Sequence, residues 1–230
     1  VLRARMRLAG SGPVARSTSM TANGNGHSSS NGNGSGKSSV KRTEALQRTK
    51  LVGAFGFISP YKGLLCAVKA MLLLPEDYTL LIAGSIHPFN HIDYKQGDDH
   101  LLAIQELIEK EGLQQRVIFK PSAQTDEEFM ESIDSVDIVV CSYLEYGQSG
   151  SGPAQLAIEL DKPLICTKTR AFMQLAEYYP GRVNLVDVGN HMHLAQTIQQ
   201  IAAGDGVQAN TPMPYSVETC TELYRRVIQT

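Results

Sequence analysis

The stretch from Val136 to Thr167 sets the tightest limits on what this chain can fold into. Val136-Asp-Ile-Val-Val-Cys141 is nearly continuous in apolar residues, most of them β-branched. That suits a parallel strand covered on both faces better than one alternating between core and water. A glycine-rich loop follows, Ser142 to Gly152, carrying one carboxylate, Glu145. Pro153 fits the first turn of a helix, where its missing N–H costs nothing. That helix runs to about Lys162, and Pro163-Leu-Ile-Cys-Thr167 is a second buried strand. The loop therefore delivers several backbone N–H groups to a helix N-terminus, where orphan donors and the macrodipole favour an anion. A phosphate is the anion this arrangement suits best.

The same alternation of strand and helix extends in both directions. Leu51 to Phe57 has a strand's apolar content, Pro60 breaks it, and Leu64 to Leu73 has apolar residues at helical spacing. Tyr78 to Ala83 is a buried strand ending at Gly84-Ser85; Leu101 to Glu111 is an amphipathic helix stopped by Gly112; Val117 to Lys120 is a short strand. Thr125 with Glu128 three residues on is a capping-box start for a helix through Ser132. Beyond Thr167 come a helix over Arg170 to Tyr179, a strand over Val183 to Val188, a helix over His191 to Ala203, and a last helix after Pro214. Strand and helix alternate six times, the signature of a doubly wound parallel sheet of Rossmann-like α/β type.

Residues 1–45 contribute no core. They are rich in Ser, Gly, Asn and Arg, and such a segment cannot bury enough surface to offset its ordering entropy. The expectation is a disordered, low-complexity tail or linker over 1–45 and one compact domain over 46–230. Charge divides the same way. Nine of the 21 Lys+Arg lie in residues 1–50 against one acid, Glu44, a net of +8; the rest holds 12 bases and 22 acids, a net of −10. An acidic domain argues against a specific nucleic-acid partner. The basic tail reads as a solvated linker or as a segment for non-specific contact with RNA or, peripherally, with an anionic membrane.

Other chemistries find less support. Lys37-Ser38 lacks the preceding strand and the glycine that a phosphate loop needs. His87, His91, Asp93, Asp98, Asp99 and His100 resemble a metal set, but Pro88 interrupts the helical face their spacing requires, so a polar loop and no metal are expected. Four cysteines without close pairing read as core residues of a reducing compartment, hence a cytoplasmic protein. No apolar run approaches the roughly 20 residues of a membrane span.

Ser142, Glu145 and Gly147, followed by Lys162-Pro163-Leu164-Ile165, are similar to the donor-binding loop and helix of retaining nucleotide-sugar glycosyltransferases of the GT-B type, the glycosyl transferases group 1 family. The turn with Lys62-Gly63, the strand ending at Gly84-Ser85, and Tyr215-Ser216 with the later Tyr224 resemble further motifs of that family in the same order. The resemblance spans about Leu51 to Arg226. It implies one Rossmann-like half of a GT-B fold that binds a nucleoside-diphosphate sugar as substrate, with no resident cofactor and no metal. Lys62, Gly56, Gly84, Ser85, Gly147, Gln148, Ser149, Gly150, Ser151 and Gly152 are then donor-binding, with Lys120 to Ser122 near the base. Glu145 is the catalytic carboxylate near the donor sugar. The sequence departs from the pattern in three ways. Phe57 stands where the family has an arginine that joins the lysine at the diphosphate. Leu156 stands where a second glutamate holds the ribose, with Glu159 one turn further on. The acceptor half that precedes the donor half is expected to be missing from this chain, so a glycan or lipid-linked acceptor would need another partner. A non-catalytic nucleotide-binding module and a flavodoxin-like interaction domain stay open as rivals.

Overall fold

The computed structural model describes residues 49–86, 94–144, 147–204 and 217–229. Six strands form one parallel sheet: β1 (Lys50–Phe55), β2 (Tyr78–Ala83), β3 (Val117–Lys120), β4 (Ile138–Cys141), β5 (Leu164–Thr167) and β6 (Val183–Val186), in the order β3-β2-β1-β4-β5-β6. The helices are α1 (Leu64–Met71), α2 (Tyr94–Lys110), α3 (Asp126–Ser135), α4 (Gly152–Glu159), α5 (Arg170–Tyr178), α6 (His191–Ala202) and α7 (Val217–Ile228).

The alternation of side chains along each strand divides the core into two layers. Val52, Ala54, Leu80, Ile82, Ile138, Val140 and Ile165 face α1, α2 and α6. Phe55, Leu81, Val139, Cys141, Leu164 and Cys166 face α3, α4 and α5. Because both faces are covered, β4 and β5 are buried at every position, which is why they read as unbroken apolar runs.

The first strand stops at Phe55 rather than Phe57, because Gly56 turns the backbone at φ 106°. The strand before the glycine-rich loop starts at Ile138 rather than Val136, since Val136 closes α3. The sixth strand ends at Val186 rather than Val188, and α2 begins a full two turns before Leu101. The capping box is present in both directions: Thr125 Oγ1 accepts from Glu128 N–H at 3.2 Å, and Glu128 Oε2 accepts from Thr125 N–H at 2.9 Å. Thr125→Ala is expected to cost about 1 kcal/mol in urea unfolding, whereas Ser122→Ala, outside the cap, should cost a few tenths at most.

β1 runs to one side through β2 and β3, and β4 to the other through β5 and β6. The carboxyl ends of β1 and β4 are thus the topological switch point, where connections diverge and leave a crevice.

Candidate nucleotide-sugar site

The loop after β1 is built to return close to the sheet. Ser59 leads into a single 3₁₀ turn over Pro60–Lys62, and Gly63 stops it in the left-handed conformation, φ 64°. The loop after β4 locks onto this turn. Ser142 Oγ donates to Gly63 O at 3.0 Å and to Lys62 O at 3.2 Å, and Leu144 N–H donates to Tyr61 O at 2.7 Å. On the other side, Ile58 N–H donates to Ser85 O at 2.9 Å. Gly56 and Gly84 meet backbone to backbone: a Cβ on Gly84 would lie 1.8 Å from Gly56 O. The roles of Gly84 and Ser85 are thereby structural as well as positional, since they hold the β1 loop in place.

Lys62 points inward, 7 % exposed. Its ammonium donates to Tyr143 Oη and lies 3.9 Å from the centre of that ring and 5.2 Å from that of Tyr61. Among the described residues no carboxylate is within ion-pair reach of it. Burial lowers its pKa to about 8. Gly56 marks where Lys62 meets the helix, because a Cβ there would sit 3.4 Å from Lys62 Nζ and 3.5 Å from Pro153 Cγ. A buried cation and the first turn of α4 therefore converge on one backbone position that carries no side chain. Such a place favours an anion on two counts, the ammonium and the helix N-terminus.

Ser151 caps α4, its Oγ accepting from Ala154 N–H at 3.3 Å and lying 2.7 Å from Tyr143 Oη. Together with Ser149 and Gly150 it also borders a pocket of about 160 Å³ against Phe172, Leu175 and Tyr178 of α5. Gly147, Ser149, Gly150 and Gly152 are exposed on the same loop, and Gln148 Oε1 is buried with no hydrogen-bond partner among the described residues. Glu145 lies outside the described residues, as do His87, His91 and Asp93.

One sequence-derived candidate, Glu159, is not brought to the crevice. Glu159 is the last residue of α4 and exposed, about 10 Å along the axis from the helix start. Leu156, half-buried, packs against the core instead. Lys120 and Ser122 line a separate polar trough of about 440 Å³ beside α3. Its edge-strand end is joined to the loop after β2, Lys120 O accepting from Gly84 N–H at 3.2 Å. Phe57 is 38 % exposed beside Gly56. His193 is on the surface at the start of α6, with Nδ1 3.1 Å from Asp187, whose carboxyl Lys168 and His193 hold below its usual range. No metal-competent cluster of His, Cys, Asp and Glu occurs among the described residues. Tyr143 was missed from sequence; its signal is only its place directly after Ser142, two residues past the end of β4.

The family description Glycosyl transferases group 1 matches residues 38–211. No curated protein sequence matches the chain significantly. Among solved structures, HepE from Anabaena, determined with UDP and glucose, superposes with a TM-score of 0.63 at 19% identity, covering 79% of this chain and 49% of HepE. The same protein has also been determined with UDP-glucose. Sucrose-phosphate synthase from Thermosynechococcus elongatus gives 0.59 at 22% identity over 79% of this chain and 46% of its own. The C-terminal domain of the glycosyl transferase group 1 protein LpcC from Francisella tularensis gives 0.55 at 20% identity over 68% and 76%. At these identities the likeness shows the fold, and the chain spans about half the length of HepE.

Proposed function

We infer that this chain, which belongs to the glycosyl transferases group 1 family, forms the donor-binding half of a retaining, metal-independent glycosyltransferase that uses a nucleoside-diphosphate sugar. The observation that carries this is the convergence of Lys62 and the N-terminus of α4 on Gly56, at the switch point between β1 and β4. Transfer expels a nucleoside diphosphate, so the site must stabilise negative charge on the leaving group. Lys62 and the amides of the Gly147 to Gly152 loop supply that stabilisation without a metal. Glu145 is assigned to the donor sugar, binding its hydroxyls or steadying oxocarbenium charge. The acceptor proposed is a glycan or a lipid-linked molecule, and the compartment proposed is the cytoplasm. Uridine diphosphate is the first nucleotide to test, since HepE is solved with UDP.

A second reading has specific support. Phe57 and Leu156 stand where the resemblance calls for an arginine and a ribose-binding carboxylate, and the structure gives neither a substitute from Glu159. A module that binds the nucleotide sugar without transferring it fits those two positions. Slow hydrolysis of UDP-glucose by the chain would favour the enzyme, and binding without turnover the module.

The experiment is thermal unfolding with UDP, GDP and ADP, each with and without magnesium. A ligand at about a hundred times its dissociation constant adds roughly 2.7 kcal/mol, a rise of a few degrees at this size. A magnesium-independent rise with UDP is the expected result. No rise with any of the three would remove the donor-binding reading.

A further inference from the structure

We propose that Tyr143 is the positioning residue of the phosphate site, joining the Lys62 ammonium to the Ser151 hydroxyl in one directed hydrogen-bond chain that makes Ser151 a donor to the ligand's phosphate. This rests on the donor-binding reading above.

The first member fixes the first bond of the chain, and the proton that Tyr143 keeps sets the second. An ammonium has donors only, so the Tyr143 oxygen must accept from Lys62. Burial pushes the Tyr143 phenol well above its ordinary pKa, so it keeps its proton. The proton is assigned to Ser151 Oγ, 2.7 Å away. Ser151 Oγ also accepts the Ala154 N–H at 3.3 Å. With both acceptor positions filled, the hydroxyl has its own proton left to give. Its other contact is Cys141 Sγ at 3.9 Å, a weak acceptor that an incoming phosphate oxygen would displace.

Charge at one end of such a chain strengthens each bond along it. Lys62 therefore acts on the anion twice, directly through its remaining N–H groups and through Ser151. This gives the site a second charge-assisted contact although Phe57, and not a cation, follows Gly56. Tyr143 can fix the geometry because it is 3 % exposed and wedged between two rings. Tyr61 meets it edge-on at 5.9 Å, and Phe172 tilted at 4.9 Å. Its ring cannot follow the ligand, so the hydroxyl stays where the chain needs it.

The test is calorimetric titration of the whole 230-residue chain with UDP and with uridine, across pH 6.5 to 9.5, for wild type, Tyr143→Phe, Ser151→Ala and the double variant. Tyr143→Phe keeps the packed ring and removes only the link. It is expected to weaken UDP about tenfold and to leave uridine unchanged. Ser151→Ala should do the same, and the double variant should be scarcely worse than either, because the two share one path. In Tyr143→Phe the fall of UDP affinity with rising pH should also begin at lower pH, since Lys62 has lost an acceptor for its charged form. A Tyr143→Phe variant that binds UDP as wild type does, or a double variant whose losses simply add, overturns this assignment while leaving the donor-binding reading intact. Wild type that binds no UDP at all overturns both.

Discussion

Gly63→Ala is expected to unfold the chain or leave it several kcal/mol less stable, far beyond the usual effect of adding a methyl group. Two effects act at once. The backbone there has φ 64°, a region that costs an alanine about 1–2 kcal/mol. A Cβ would also stand 1.9 Å from Ser142 O and 2.9 Å from Ser142 C, both backbone atoms of a residue only 2 % exposed. No rotamer change relieves that overlap, so the β1 and β4 loops must separate. Separation breaks the Ser142 bonds to Gly63 and Lys62 and the Leu144 bond to Tyr61. Gly189→Ala is the control, with φ 72° and nothing within 4 Å of the added Cβ, so only the backbone strain remains. Urea unfolding of the two variants should separate them by at least about 2 kcal/mol. Equal losses would mean that the two loops do not approach as closely as described.

Lys62→Met should separate ligand affinity from stability. Loss of a charge-assisted contact to phosphate is expected to weaken UDP binding by about 1.5–3 kcal/mol. The free protein should lose little stability or gain some, because a buried cation with no carboxylate partner among the described residues is replaced by an apolar chain of similar reach. pH acts on the two quantities in opposite directions. Lys62 titrates at about 8 in the folded chain and near its ordinary 10.5 when unfolded, so over that window the unfolded state holds more protons. Stability of the free protein from this group therefore rises with pH between about 8 and 10.5. Affinity for a nucleoside diphosphate falls as pH passes 8, because the phosphate requires the charged form. Lys62→Met should abolish both trends. A UDP affinity that is flat with pH in wild type would take Lys62 out of the site.

Much of this was legible in the chain itself. The six strands, their order along the sequence and the glycine-rich loop before α4 follow from apolar runs, Pro153 and the Gly/Ser composition of residues 147–152. The capping box at Thr125 was legible for the same reason, since its partners are three residues apart. Errors fell at strand ends, where a residue such as Val136 is apolar enough for a strand but is used to close a helix. Lys62 was identified by its place in a motif, yet its burial and lowered pKa were invisible, because the rings that enclose it include Tyr143, distant in sequence.

The sequence by itself determined which segments are strands and helices, that both faces of the sheet are covered, and which glycine-rich loop leads into a helix N-terminus. Each of those is a local matter of periodicity, composition or capping, decided within about ten residues. Only the tertiary structure decided that β1 lies between β2 and β4, so that the loops after β1 and β4 share a crevice. It alone joined Lys62 to Tyr143 and Ser151, and left Glu159 at the far end of α4. Those relations depend on pairing between strands far apart in the chain, and the energy that selects them comes from burying both core layers together.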